Sequence, residues 1–216
     1  MSEKNSFVAD LRKEYTLNGL TEQNMRPNPI EQFDEWFQDA LQANVHEPNA
    51  MHLATVSAAG TPKGRIVLLK GLDENGFAFY TNYESQKGND LSANSAASLT
   101  FFWPELERQV RIEGLAYKLS AAESDAYFQS RPRNSRLGAW VSAQSRPIAD
   151  RSLLEKHEAE LEKQFENQEI SRPPHWGGFR VVPNRIEFWQ GRPSRLHDRV
   201  LYTLEDSRWQ LSRLQP

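Results

Sequence analysis

The stretch from Met51 to Leu119 constrains the fold most, because it carries five short apolar segments separated by tight turn signals. Met51–Ala58 gives way to Ala59-Gly60-Thr61-Pro62, and Arg65–Lys70 follows as a run rich in Ile, Val and Leu. Asp73-Glu74-Asn75-Gly76 is a hairpin turn from which Phe77–Thr81 returns. Ala97–Trp103 and Gln109–Leu119 extend the series. Successive short strands of this kind form a meander that closes into a barrel.

Helices flank the strands. Asn28-Pro29 reads as an N-cap with proline at the first helical position. Ile30, Phe33, Phe37, Ala40 and Leu41 then share one face at helical spacing. Ser120-Ala121-Ala122-Glu123 is a capping box that opens a helix running to about Ser130, before Pro132. Ser152–Phe165 is a charged amphipathic helix with a narrow stripe of Leu154, Leu161 and Phe165. The pattern returns to β at Gly178–Val182, Arg185–Gln190, Val200–Leu204 and Trp209–Leu214. Residues 1–27 form a polar arm with few core-forming side chains, and 28–216 a single domain of the mainly β, α+β class.

Composition removes several function classes. The net charge of -3 argues against a broad nucleic-acid surface. With no cysteine, disulfides, thiol nucleophiles and thiolate metal sites are excluded. Met1–Tyr15 is charged and lacks the apolar core of a secretory signal. No apolar run approaches the ~20 residues that a membrane-spanning helix needs, so no membrane partner is expected and the default location is cytoplasmic. The five histidines show no metal-ligand spacing, so no metal is expected. Walker A, GxGxxG and GxSxG patterns are absent as well, so any difficult chemistry here belongs to a bound cofactor.

What remains is phosphate-binding chemistry. Arg65 and Lys70 bracket a strand, and Thr81, Ser85 and Lys87 follow the next. Arg131, Arg133, Ser135 and Arg136 cluster after a helix, and Arg192, Arg195, His197 and Arg199 crowd a loop. Cations beside hydroxyls suit a phosphate monoester, and two clusters suit two phosphates. Single Arg and Lys residues are more often solvated surface, so the residues alone carry only a β-rich domain with a phosphorylated ligand.

Longer stretches say more. Arg65-Ile-Val-Leu-Leu-Lys70, Phe79-Tyr-Thr-Asn82, Ser85-Gln-Lys87, Glu107-Arg-Gln-Val110, Ser130-Arg-Pro-Arg133 and Gly138-Ala-Trp-Val-Ser-Ala-Gln-Ser145 occur in order. Trp176-Gly-Gly-Phe-Arg180, Ile186-Glu-Phe-Trp-Gln-Gly191 and Arg195-Leu-His-Asp-Arg199 complete the set. From about Leu11 to the C-terminus the chain resembles the pyridoxine/pyridoxamine 5′-phosphate oxidases. That resemblance implies a split β-barrel homodimer with FMN at the subunit interface. It places FMN contacts on Arg65, Ile66, Val67, Leu68, Tyr80, Thr81, Ser85, Gln86, Lys87, Gln109, Gln144, Ser145, Trp189 and Arg199. Arg65, Ser85 and Lys87 would hold the flavin phosphate. Gln86 stands where the family commonly has Arg, which removes one cation from that shell. Substrate contacts would fall on Lys70, Tyr127, Arg131, Ser135, Arg195 and His197. Tyr127 and Arg131, four apart, would share a helix face. Arg12 and Tyr15 match a segment that can cover the site as a lid.

The implied reaction is a two-electron oxidation at C4′ of a phosphorylated B6 vitamer, with hydride passing to flavin N5 and O2 as final acceptor, giving hydrogen peroxide. Arg195 and His197 are the candidates for direct contact with the reacting ring. Rival readings are another split-barrel flavin reductase or deazaflavin-dependent oxidoreductase, and a non-catalytic FMN or pyridoxal-phosphate carrier. Both rivals would dispense with the Lys70/Tyr127/Arg131/Ser135 set or the Arg195/His197 pair.

Overall fold

A computed structural model describes residues 14–17 and 19–216. Helix α1 spans Pro29–Gln42, followed by strands β1 (Ala50–Val56), β2 (Pro62–Leu68), β3 (Gly71–Asp73) and β4 (Gly76–Asn82). Helix α2 (Gln86–Ala93) leads to β5 (Ala96–Trp103) and β6 (Arg108–Lys118). Three helices follow, α3 (Ala121–Ser130), α4 (Arg133–Val141) and α5 (Arg151–Gln164), and then β7 (Trp176–Gln190), β8 (Asp198–Glu205) and β9 (Arg208–Leu214). Strand pairing follows β2-β1-β5-β6-β7-β4-β3, with β8 on β7 and β9 on β8.

The chain forms two compact units, neither continuous in sequence. One comprises residues up to Pro48 with Thr100–Ile112 and Arg185–Pro216, and the other Asn49–Leu99 with Glu113–Asn184. In the first, Asn28 caps α1 by accepting the Ile30 N–H at 2.9 Å. The buried face of α1 is Pro29, Ile30, Gln32, Phe33, Trp36 and Ala40. The expected stripe is therefore corrected at its end: Leu41 is 46% exposed, and Trp36 joins Phe33 as a buried aromatic. The buried arc centres on Phe33, Trp36 and Ala40, and Leu41, about 100° from Ala40, falls at its edge near the last turn. Trp36 packs edge-on against Phe188, 5.0 Å between ring centres, and Phe33 against Phe101 at 4.9 Å. Thr16 and Leu17 are tied to this unit, since the buried Glu107 carboxylate accepts their N–H groups at 3.0 and 3.1 Å.

In the second unit β1 pairs antiparallel with β2, His52 facing Ile66 and Leu53 facing Arg65. The expected hairpin joins β3 to β4, and Gly76 takes φ +128°, a conformation that favours glycine. The Ser120 capping box forms in full and α3 ends at Ser130 as expected. Phe128, Leu137, Leu161, Phe165, Ile170 and Trp176 form a helical core. The stripe on α5 thus holds at Leu161 and Phe165. The expected strands Gly178–Val182 and Arg185–Gln190 are one strand, β7. Pro183 lies within it, and the absence of a side chain on Gly114 of β6 leaves room for the Val182 carbonyl, which would lie 2.1 Å from a Cβ there.

Candidate functional site

A cavity of about 510 Å³ opens in the second unit, where several elements end together. The C-terminal end of β2 brings Ile66, Val67 and Leu68, and Lys70 follows. The end of β4 brings Tyr80, Thr81 and Asn82, α2 brings Lys87, and the end of α3 brings Tyr127 and Arg131. Ser135, Gly138 and Ala139 of α4, together with Ser142, Gln144 and Trp176, close the lining. Ile66, Val67, Leu68, Lys70, Tyr80, Thr81, Lys87, Tyr127, Arg131, Ser135 and Gln144 are thus brought together as the sequence suggested.

Lys87 is held by neutral oxygens. Its ammonium donates to Thr81 Oγ1 at 3.0 Å, Gln144 Oε1 at 3.1 Å and Ser85 Oγ at 3.3 Å. Burial pushes its pKa below the ordinary lysine value, and the neighbouring Arg65 pushes it further. Three neutral acceptors orient the charge without cancelling it. Ser85 is fully buried and N-caps α2, accepting the Gly88 N–H at 3.3 Å and donating to Asn82 O at 2.7 Å.

Arg131 corrects the helix-face expectation. It is the residue after α3, with φ −76° and ψ 147°, so it does not share a helical face with Tyr127. Pro132 enforces this, since a residue preceding proline is pushed out of the helical region. The guanidinium instead stacks over Trp176, 4.6 Å from the ring centre. Its Nη1 is buried with no hydrogen-bond partner among the described residues, and burial lowers its pKa. Tyr127 stacks on Tyr80 at 3.9 Å and 15° between planes, and Tyr80 stacks on Trp176 at 5.5 Å. A buried cationic atom lacking an acceptor, framed by aromatic rings, is the local signature of an anion site.

Other expected cofactor residues of this unit lie off that lining. Gln86 and Ser145 border an adjoining polar depression of about 350 Å³ with Lys63, Asp90, Gln144 and Arg146. Arg65 donates through Nη1 to Thr55 Oγ1 at 2.7 Å, with Nη2 3.7 Å from Asp90.

The remaining candidates belong to the first unit. His197 packs on Trp189, 4.7 Å between ring centres, and Tyr15 meets both rings edge-on at 5.6 and 5.8 Å. The Arg192 backbone N–H donates to His197 Nδ1 at 3.1 Å, so the neutral ring carries its proton on Nε2. Burial, then Arg195, lowers the pKa of this histidine, which favours that neutral form. Ser194 and Arg195 both adopt left-handed φ, 56° and 60°, and the Arg195 side chain is exposed. Arg199 is committed to the buried Glu187 by contacts of 2.8 and 3.1 Å. Gln109 lies half-buried on β6. Arg12 lies outside the described residues.

Sequence reasoning missed Asn82, Gly138, Ala139, Ser142 and Trp176 as lining residues. All five stood inside recognisable motifs, but their roles rest on distant partners, as where the Ser142 carbonyl accepts from Asn82 Nδ2 at 3.4 Å.

Comparison with known proteins adds independent findings. The model of the family described as pyridoxamine 5′-phosphate oxidase matches residues 37–165. That of the pyridoxine 5′-phosphate oxidase C-terminal dimerisation region matches 176–216. A pyridoxine/pyridoxamine 5′-phosphate oxidase of Synechocystis is 60% identical over 97% of this chain and 98% of that protein. One from Paraburkholderia phytofirmans is also 60% identical, over 97% and 99%. Among solved structures, PhzG of Burkholderia lata, in complex with tetrahydrophenazine-1-carboxylic acid, superposes with a TM-score of 0.88 at 30% identity, covering 94% of this chain and 100% of that one. An FMN-binding protein of Nostoc punctiforme related to pyridoxamine 5′-phosphate oxidases shares the fold at TM-score 0.68 and 19% identity, over 85% and 97%. The mainly β, split-barrel class expected from the sequence is borne out.

Proposed function

The chain belongs to the pyridoxine/pyridoxamine 5′-phosphate oxidase family, and on that premise we propose how its residues divide the work. It is an enzyme that oxidises pyridoxine and pyridoxamine 5′-phosphates to pyridoxal 5′-phosphate. FMN is the proposed cofactor. When bound, it supplies two-electron redox chemistry, taking hydride from the substrate and passing electrons to O2. Lys87, Thr81, Ser85 and Arg65 would hold its phosphate, and Ile66, Val67, Leu68 and Tyr80 would flank its ring. Lys70, Tyr127, Arg131 and Ser135 would anchor the substrate phosphate, far from the reacting carbon, so that binding energy there positions the ring. Arg195 and His197 would contact the substrate ring. In its neutral form His197 offers Nε2–H as a donor and holds no free base, because Nδ1 is already engaged. Gln109, Gln144, Ser145, Gln86, Trp189 and Arg199 complete the proposed flavin set, and Tyr15 with Arg12 the proposed cover.

The observation that carries this reading is the buried Arg131 Nη1, without a partner among the described residues, in the same cavity as a Lys87 ammonium that those residues bind through neutral oxygens. Two such uncancelled cations suit two phosphates. The reading includes a homodimer, supported by the match of residues 176–216 to a dimerisation region, and a cytoplasmic location. No helix among the described residues is long and apolar enough to cross a membrane. The test is oxygen uptake by the flavin-loaded protein given pyridoxamine 5′-phosphate and, separately, pyridoxamine. Uptake with the phosphate alone is expected. Equal turnover of the unphosphorylated amine would refute the assigned anchor.

A further inference from the structure

Asp90 is 5% exposed, and no step of the proposed reaction uses it. It sits on α2 three residues after Lys87 and turns toward β1 and β2. A buried carboxylate beside a site for a phosphate is an electrostatic cost, so its presence calls for a compensating geometry. That geometry is a directed chain of hydrogen bonds. Thr55 is 1% exposed, and its hydroxyl has a single proton. The proton goes to Asp90 Oδ2 at 2.9 Å, which leaves the Thr55 oxygen facing Arg65 as an acceptor. Arg65 Nη1 donates to it at 2.7 Å, and more weakly to Leu53 O at 3.3 Å and Lys63 O at 3.2 Å. These partners absorb Nη1. Among the described residues, Nε and Nη2 of Arg65 make no hydrogen bond, and Nη2 lies 3.7 Å from Asp90. Lys63 stands 3.4 Å from the other carboxylate oxygen, so the cluster keeps an excess of positive charge.

We propose that Asp90 is a positioning residue: through Thr55 it fixes the Arg65 guanidinium so that its open edge receives the phosphate of FMN, and it thereby sets the preference for FMN over riboflavin. This rests on the reading that Arg65 and Lys87 take the flavin phosphate. Thr55, Asp90 and Arg65 all lie off the lining of the Lys87 cavity, with Asp90 on the adjoining depression, and Arg65 is the member of the three whose charge reaches Lys87. The charge of Asp90 also opposes the lowering of the Arg65 pKa by burial. A residue at 90 with no acceptor would free the Thr55 hydroxyl to rotate, and its oxygen would no longer present a fixed lone pair to Arg65.

The experiment titrates FMN and riboflavin into the full-length apoprotein, following quenching of flavin fluorescence, with thermal melts of each variant. Thr55→Val and Asp90→Ala should each weaken FMN on the order of tenfold while riboflavin changes by less than about twofold. Asp90→Asn keeps an acceptor for Thr55 and should hold FMN within about threefold of the parent. Two outcomes overturn the proposal: tighter FMN binding in both Asp90 variants, which would make the carboxylate a mere opposing charge, or equal losses for both flavins, which would make it structural support. Arg65→Ala separates the levels. If it leaves the FMN-to-riboflavin ratio unchanged, the phosphate does not sit at Arg65, and the reading beneath the proposal fails. If it collapses the ratio while the Asp90 and Thr55 variants preserve it, the positioning role alone fails.

Discussion

Lys87 and Arg131 solve the same problem differently. Each keeps a positive charge in a partly desolvated place without a carboxylate against it. For Arg131 the aromatic face of Trp176 offsets part of the lost hydration. Removing the guanidinium should therefore act on binding rather than on chemistry. We expect Arg131→Ala, and similarly Lys70→Ala, to raise KM for the phosphorylated substrate by roughly 10- to 150-fold, the equivalent of about 1.5–3 kcal/mol for a charge-assisted contact, with kcat little changed. Steady-state kinetics decides this. A fall in kcat at unchanged KM would place these residues at the reacting centre.

Lys87 gives a pH signature. Its pKa lies below the ordinary 10.5, from burial first and Arg65 second. In the flavin-free chain, keeping it charged costs stability at neutral pH, and that cost is relieved as pH rises through the depressed value. A bound phosphate dianion favours the charged form, so binding retains the proton. FMN affinity should then fall as pH rises through a value below 10.5, while riboflavin, lacking the phosphate, serves as the reference. Lys87→Arg should flatten the fall, because a guanidinium stays charged there. An FMN-to-riboflavin ratio that does not change with pH in the parent would remove Lys87 from the phosphate shell.

At the scale of elements, legibility followed locality. Helices α1 and α3 could be read because their caps are written within three residues, Asn28-Pro29 and Ser120–Glu123. The box on α3 also aims the segment that ends in Tyr127 and Arg131. Ser120→Ala should cost about 1 kcal/mol and lower Tm by roughly 2–4 °C, with the cavity intact. A calorimetric scan checks it, and an unchanged Tm would mean that the helical core sets this boundary without the cap. Helix α2 was missed because Gly88, Asn89 and Asp90 are poor helix formers. It is held by Ser85 at its start and by the reach of Asp90 to Thr55, 35 residues away. Helix α4 contains Gly138, and its N-cap, Pro132, supplies no side-chain hydrogen bond. The site shows the same division. Lys70 and Thr81 stand at or just beyond ends of patterned strands and were legible, Lys87 was legible as a cation a few residues past β4, and Tyr127 entered through the family resemblance. Trp176 and Asn82 depend on packing between distant segments and were not, and the exact backbone of Arg131 followed Pro132 rather than the helix before it.

The whole molecule leaves large apolar side chains uncovered. Ile66 is 66% exposed, Leu196 69%, and Phe102 and Tyr117 each 53%. Ile66 lines the cavity as well, so one wall of the proposed flavin site is open in a single chain. Residues 176–216, matched by a dimerisation region, include Trp189, Arg195 and His197. Exposed apolar side chains of this size are what a second copy would cover. If the flavin shell draws on both copies, Lys87 and Trp189 act on one flavin from different chains. A Lys87→Ala chain and a Trp189→Ala chain would then each be inactive alone, because both sites of either homodimer carry the lesion. In a heterodimer of the two, one site collects both lesions and the other collects none. Unfolding and refolding the two variants together at equal concentration should give about half heterodimer by random pairing, and hence about a quarter of the parental activity per chain. The readout is oxygen uptake in the mixture against each variant refolded alone, with light scattering to fix the mass. No recovery, with an active parent that scatters as a monomer, would mean that each chain builds its own site, and the exposed Ile66 would then need another explanation.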